Sequence, residues 1–188
     1  MREIRIFDRL LPHYTIDEIR PQVPKEVLSH CLSYSFEEDK LNSRTAYALV
    51  LKRIKEKGRK PSPVHFTESG KPYRDSVFFS ISHSQNRIAI RISDKECGID
   101  IQKVDYKKNF DSTAKRVLNG REYGLYLTRE DKPSFFTSCW VKKEARLKRD
   151  GSGITSLSGL KEIDSLRPSY SIYDREKDKY YYSFEERE

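Results

Sequence analysis

Phe78-Phe-Ser-Ile-Ser82-His-Ser-Gln-Asn86-Arg-Ile88-Ala-Ile90-Arg-Ile92-Ser-Asp-Lys-Glu96-Cys-Gly98-Ile-Asp100-Ile-Gln102 reads as three short strands in succession. Residues 78–82 and 88–92 are rich in β-formers and flank the polar turn Ser84-Gln85-Asn86, which is a hairpin signal. Ile88, Ile90 and Ile92 fall on one face. After a second polar turn at 93–96, residues 97–102 continue the alternation, with Ile99 and Ile101 on one face and Asp100 and Gln102 on the other. Two polar side chains therefore project together from a strand whose opposite face is apolar.

Outward from this core, residues 4–7 suggest one more strand. Residues 37–57 suggest a helix, because Leu41, Tyr47, Ala48, Leu51 and Ile54 lie on or near one broad stripe and Gly58 and Pro61 end it. Residues 110–118 and 133–148 read as helices, the second carrying Phe136, Trp140, Glu144 and Lys148 at successive four-residue steps and closed by Ser152-Gly153. Residues 170–173 and 180–184, joined by a charged turn, look like a terminal hairpin. Hairpins and helices in separate blocks argue for an α+β fold rather than a doubly wound parallel sheet.

The length of 188 residues fits one domain or two small halves packed together. Charged residues make up 35% and hydrophobic ones 36%, so the core is modest and leans on Tyr and Phe. The net charge of +8 favours anionic partners without choosing among nucleic acid, acidic proteins, phosphorylated small molecules and anionic membranes. Cys31, Cys97 and Cys139 are odd in number and widely spaced, which suits a reducing cytoplasm rather than a disulfide framework or zinc site. No run approaches the length of a membrane span, and the amino terminus lacks an apolar signal core, so a soluble protein is expected.

Asp100 and Glu144 are the leading candidates for chemistry. A hard cation such as Mg²⁺ takes oxygen ligands, commonly one or two carboxylates completed by water and substrate phosphate. The bland alternative is a turn cap at Asp100 and a surface Glu144–Lys148 helix pair, worth only about 0.3 to 0.5 kcal/mol. Both carboxylates stand in apolar surroundings, however, and a carboxylate there needs a partner. Lys148, one turn past Glu144, could steady a phosphate. Ser80-Ile-Ser82-His83-Ser84 gathers donors at a strand end, for a phosphate or simply for a turn. Lys71, within Gly70-Lys71-Pro72, could face an anion.

In order, Gly70-Lys71-Pro72, Phe79-Ser-Ile-Ser82-His83-Ser84, Gly98-Ile-Asp100-Ile-Gln102 and Trp140-Val-Lys-Lys143-Glu144-Ala145-Arg-Leu-Lys148 followed by Gly151-Ser-Gly153-Ile154 resemble the four signatures of the Sfp-type 4′-phosphopantetheinyl transferases. The resemblance implies two similar α+β halves, 1–96 and 97–188, each a small mainly antiparallel sheet packed by helices. They form a pseudo-twofold pair in one compact unit with the active site between them. It implies a cytoplasmic, monomeric enzyme that moves the 4′-phosphopantetheine arm of coenzyme A to a Ser of an acyl or peptidyl carrier protein, releasing 3′,5′-ADP. Neither nucleic acid nor membrane is then a partner.

Residue by residue, the resemblance puts Asp100, Gln102 and Glu144 on Mg²⁺ and makes Asp100, Glu144 and Lys148 catalytic. It places Lys148 beside the pyrophosphate, Ser43, Ser82 and His83 near the 3′-phosphate, and Lys71 near the adenine. Gln102 departs from the pattern, since many members carry an acidic residue there, and the loss of one negative charge predicts weaker metal affinity. Asn42 stands in place of a usual Arg. The alternatives are a basic nucleic-acid-binding protein, motivated by charge and Tyr content, and a coenzyme A-binding homologue without transfer activity, motivated by Gln102.

Overall fold

The computed structural model describes residues 2–8, 23–58, 62–68, 70–74, 77–152, 159–166, 169–173 and 177–187. Pro61, Gly153 and Ile154, named above as helix stops or motif positions, lie outside these residues. The order is β1 (Arg2–Asp8), α1 (Lys25–Leu32), α2 (Glu37–Glu56), β2 (His65–Phe66), β3 (Pro72–Arg74), β4 (Val77–Ser84), β5 (Arg87–Ser93) and β6 (Cys97–Lys103). It continues with α3 (Asp111–Val117), α4 (Gly120–Leu127), α5 (Lys132–Asp150), a 3₁₀ turn (Gly159–Glu162), β7 (Tyr170–Tyr173) and β8 (Lys179–Glu186).

The strands form two antiparallel sheets, β1-β5-β4-β3-β2 and β6-β8-β7. The fold is α+β, as the separate blocks of strand and helix predict.

Each sheet finds cover for its apolar face. Phe79, Ile88, Ile90 and Ile92 join Tyr47, Val50 and Ile54 of α2 and Val27 and Cys31 of α1 in one core. Ile99 and Ile101 of β6 turn the other way and meet Ala89 of β5, Ile4 and Ile6 of β1, and Tyr180 of β8. A third core lies under α5, where Phe136 and Cys139 pack with Ala114, Val117, Leu118 and Tyr126. The helices are started and stopped by local chemistry. Glu37, Glu38 and Asp39 crowd the positive end of α2. The Asp131 carboxylate accepts from the Ser134 N–H at the start of α5, and Gly151, with φ +69°, takes the left-handed turn that closes it. Gly151, one position before the expected Ser152-Gly153 stop, thus ends the helix.

Two features set β6 in place. Along β4, the Ser80, Ser82 and Ser84 hydroxyls accept from the backbone N–H groups of Ile99, Ile101 and Lys103 at 3.1, 3.3 and 3.0 Å. The period-two serines thus bind β6 through side chains rather than by backbone pairing. On its other side, β6 lies directly on α5. A Cβ at Gly98 would sit 2.0 Å from the Ala145 carbonyl oxygen and 2.5 Å from the Arg149 nitrogen. Both obstacles are backbone and cannot rotate away.

Gly98→Ala is therefore expected to cost at least the upper end of the roughly 1 to 3 kcal/mol typical of overpacking. It should lower the urea midpoint with little change in m-value. An unchanged midpoint would mean that β6 and α5 do not approach this closely.

Candidate active site

Asp100 lies on the face of β6 that meets α5, two positions beyond Gly98. The close strand–helix approach brings it within reach of Lys148, whose Nζ lies 2.6 Å from Asp100 Oδ1. Ser82 donates to the same oxygen at 2.7 Å. Asp100 is buried, so these two donors replace the water that its charge would otherwise need.

Glu144, one turn before Lys148 on α5, is different. Its Oε1 is buried without a hydrogen-bond partner. Burial, with the Asp100 charge adding to it and Lys148 opposing it, pushes the Glu144 carboxyl up to about 7. A carboxyl poised there can exchange a proton near neutral pH.

The structure thus brings Asp100, Glu144, Lys148 and Ser82 to one point. Lys71 reaches the same region from the loop before β3, where its ammonium donates to the carbonyl of Arg149 near the end of α5. A groove of about 250 Å³ runs beside them, lined by His30, Tyr34, Lys71, Phe79, Glu144 and Lys148, among others. His83, on the face of β4 opposite Ser82, packs edge-on against Tyr34 and lies 3.6 Å from an Asp39 oxygen, and burial holds its imidazole below the ordinary value.

Two predicted site residues sit apart. Ser43 is fully buried, and its hydroxyl donates to Cys31 Sγ at 3.3 Å. Gln102 lies two residues past Asp100 on the same face and lines a second cavity of about 240 Å³ with Phe110, Phe136 and Trp140. Asn42, in place of the usual Arg, is buried and donates to the Gln85 carbonyl, steadying a turn in which Gln85 has φ +51°.

Sequence reading missed Lys143 as a structural anchor, although it sits inside the quoted α5 motif. Successive helix residues point about 100° apart, so Lys143 faces away from Glu144. Its ammonium pairs with Glu122 of α4 at 2.8 Å, both side chains fully buried from solvent, and donates to the carbonyls of Leu160 and Ile163 at 2.8 and 2.5 Å. Glu122 also accepts from the N–H and hydroxyl of Ser165, both at 2.7 Å. The network pins residues 159–165 against the back of the helix that carries the site. An acid in a poor helix former, Gly120-Arg-Glu122-Tyr-Gly124, was the available signal.

Among the described residues, no three His, Cys, Asp or Glu side chains converge on a metal position. The Asp100–Glu144 pair nevertheless suits Mg²⁺, which needs only one or two carboxylates when water and phosphate fill the remaining positions. The buried, unpartnered Glu144 Oε1 is the observation that favours a cation there.

A family model described as the 4′-phosphopantetheinyl transferase superfamily matches residues 96–187. A 4′-phosphopantetheinyl transferase of Bacillus subtilis is 30% identical over 158 residues, covering 79% of this chain and 69% of that protein. The chain belongs to the 4′-phosphopantetheinyl transferase superfamily. The 4′-phosphopantetheinyl transferase HetI of Nostoc sp. PCC 7120 is 36% identical over 98 residues, half of this chain and 39% of that protein. A Haemophilus influenzae protein whose name proposes the same activity is 31% identical over 140 residues, 69% of this chain and 59% of that protein. The superfamily match contains Asp100, Gln102, Glu144 and Lys148, while Ser43, Lys71, Ser82 and His83 precede it. No helix among the described residues is long and apolar enough to cross a membrane.

Proposed function

We propose that this chain transfers the 4′-phosphopantetheine arm of coenzyme A to a Ser of an acyl or peptidyl carrier protein, with Mg²⁺, releasing 3′,5′-ADP. Superfamily membership supports the reading. The observation that carries it to these residues is the pair of buried Asp100 and half-buried Glu144, with Lys148 bound to the first and one helical turn from the second. In this reading the division into halves, 1–96 and 97–188, places the site between them. Its support is that every strand of one sheet precedes residue 96 and every strand of the other follows it.

The carrier Ser oxygen attacks the β-phosphorus of coenzyme A. The bond from that phosphorus to the bridging oxygen breaks, and 3′,5′-ADP leaves. Glu144 takes the Ser proton as general base. Lys148 neutralises negative charge on the leaving phosphate. Asp100 and Glu144 would hold the Mg²⁺, with Gln102 two positions along β6 from Asp100. The ion, when bound, supplies further charge neutralisation at the diphosphate. Ser82 keeps the Asp100 side chain fixed. The net charge of +8 suits an acidic carrier surface.

Incubation with Mg²⁺, coenzyme A and a panel of apo carrier proteins, followed by weighing the carriers, tests this directly. At least one carrier should gain the mass of the phosphopantetheine arm, and Asp100→Ala should slow that gain by about 10² to 10³-fold, as for loss of a key electrostatic group. If no carrier gains the mass, or if Asp100→Ala works at full rate, the proposal fails.

A further inference from the structure

Asp100 Oδ1 carries two donors at once, Ser82 Oγ at 2.7 Å and Lys148 Nζ at 2.6 Å. A carboxylate oxygen offers two lone-pair directions, so this atom is saturated. The two donors are held very differently. Ser82 is buried, and its oxygen also accepts from the Ile101 N–H, which makes it part of the seam between β4 and β6. Lys148 reaches in from the last turn of α5 on a four-carbon stem, and 31% of its side chain is exposed. The ammonium can leave. The hydroxyl cannot leave without breaking the seam.

This arrangement opposes a bare divalent cation. To use Oδ1 the cation has to displace the ammonium. To use the other carboxylate oxygen it has to sit beside a like charge, in a partly buried site where such repulsion is weakly screened. Glu144 offers no escape route for the ammonium, since its unpartnered Oε1 is itself part of the proposed cation site. A diphosphate changes the balance. It offers the ammonium a stronger anionic partner and at the same time offers the cation oxygen ligands of its own.

Resting on the transferase reading, we propose that Lys148 is a built-in competitor of the divalent cation at Asp100, so that cation and diphosphate substrate enter the site together rather than separately. Linkage then requires the reciprocal effect, with the cation strengthening diphosphate binding by the same factor. The arrangement keeps the carboxylate pair from loading free cation when no coenzyme A is present.

Titration of Mn²⁺ into the full chain, with free ion followed by electron paramagnetic resonance and no carrier protein present, reads binding without turnover. Four proteins are compared, with and without coenzyme A: the parent, Lys148→Met, Lys148→Arg and Asp100→Ala. Without coenzyme A, Lys148→Met should bind Mn²⁺ about tenfold tighter than the parent, since one opposing charge has been removed. Lys148→Arg, which keeps a cation within reach of Asp100, should stay close to the parent. Coenzyme A should tighten Mn²⁺ binding in the parent several-fold more than in Lys148→Met. The competition is overturned if Lys148→Met binds Mn²⁺ no tighter than the parent, or if coenzyme A tightens binding equally in both. If Mn²⁺ binding depends on Asp100 but ignores Lys148, the competition alone falls. If Asp100→Ala binds Mn²⁺ as the parent does, both the competition and the cation site of the transferase reading fall.

Discussion

Glu144→Gln should melt at a higher temperature than the parent at pH 8 in chelator, yet transfer almost nothing to a carrier. The two effects have one origin. Burial holds the Glu144 carboxyl at about 7, against an ordinary value near 4.5. A carboxyl raised in this way contributes stability that is full below its ordinary value and is lost as pH rises through about 7. At pH 8 the folded parent therefore keeps a charge in a place that disfavours it, at a cost of up to roughly 3 kcal/mol with the opposing Lys148 charge already counted.

Gln has nearly the same shape and no charge. Relative to the variant, the parent should thus lose melting temperature between pH 5 and pH 8 in chelator, the contributions of the half-buried His30 and His83 being common to both. Activity moves the other way, because Gln accepts no proton from the carrier Ser, and loss of a general base typically costs about 10² to 10⁴-fold. Equal pH dependence of melting in the two proteins would mean that Glu144 is not held in its neutral form. Full activity in the variant would remove it from the role of base.

Lys143→Met, one residue away, is expected to fail by unfolding. It leaves Glu122 buried and charged with no cation, and breaking a buried pair from one side costs about 3 to 5 kcal/mol. For a domain with total stability of about 5 to 15 kcal/mol that is a large fraction, and the urea midpoint should fall sharply. Adding Glu122→Gln should recover most of the loss, since the amide oxygen can still accept from Ser165 while the stranded charge is gone. If Lys143→Met is as stable as the parent, the pair is solvated in solution. If the double variant is no better than the single, the cost lies in packing rather than charge.

The contrast between these neighbours shows how far the sequence could be read. The α5 stripe was legible because Phe136, Trp140, Glu144 and Lys148 recur at helical spacing, and α2 because its apolar residues form one stripe between an acidic start and Gly58. The hairpin of β4 and β5 followed from alternation around a polar turn. Helices α1 and α4 were not legible. The first is eight residues long with no side-chain cap. The second contains two glycines and is held by the Asn119–Glu122 capping box and by the ion pair to Lys143, a contact between residues far apart in the chain.

The candidate site divides in the same way. Asp100, Glu144 and Lys148 stood out by periodicity and motif, and the fold brings them together. Ser82 was read as a free donor for phosphate, but nothing local reveals that β6 arrives beside β4 and engages its hydroxyl twice. Ser43 looked available at the start of a helix, and only the packing of α1 on α2 buries it against Cys31.

The serine seam bears on solubility as well as on the position of Asp100. A three-stranded sheet ordinarily presents two open margins, each a row of donors and acceptors on which another chain can template. Here the N–H groups of Ile99, Ile101 and Lys103 are consumed by hydroxyls from β4. The remaining margin belongs to β7, four residues long, and short outer strands are poor templates. This Tyr- and Ile-containing sheet is thereby a poor template for another strand at either margin.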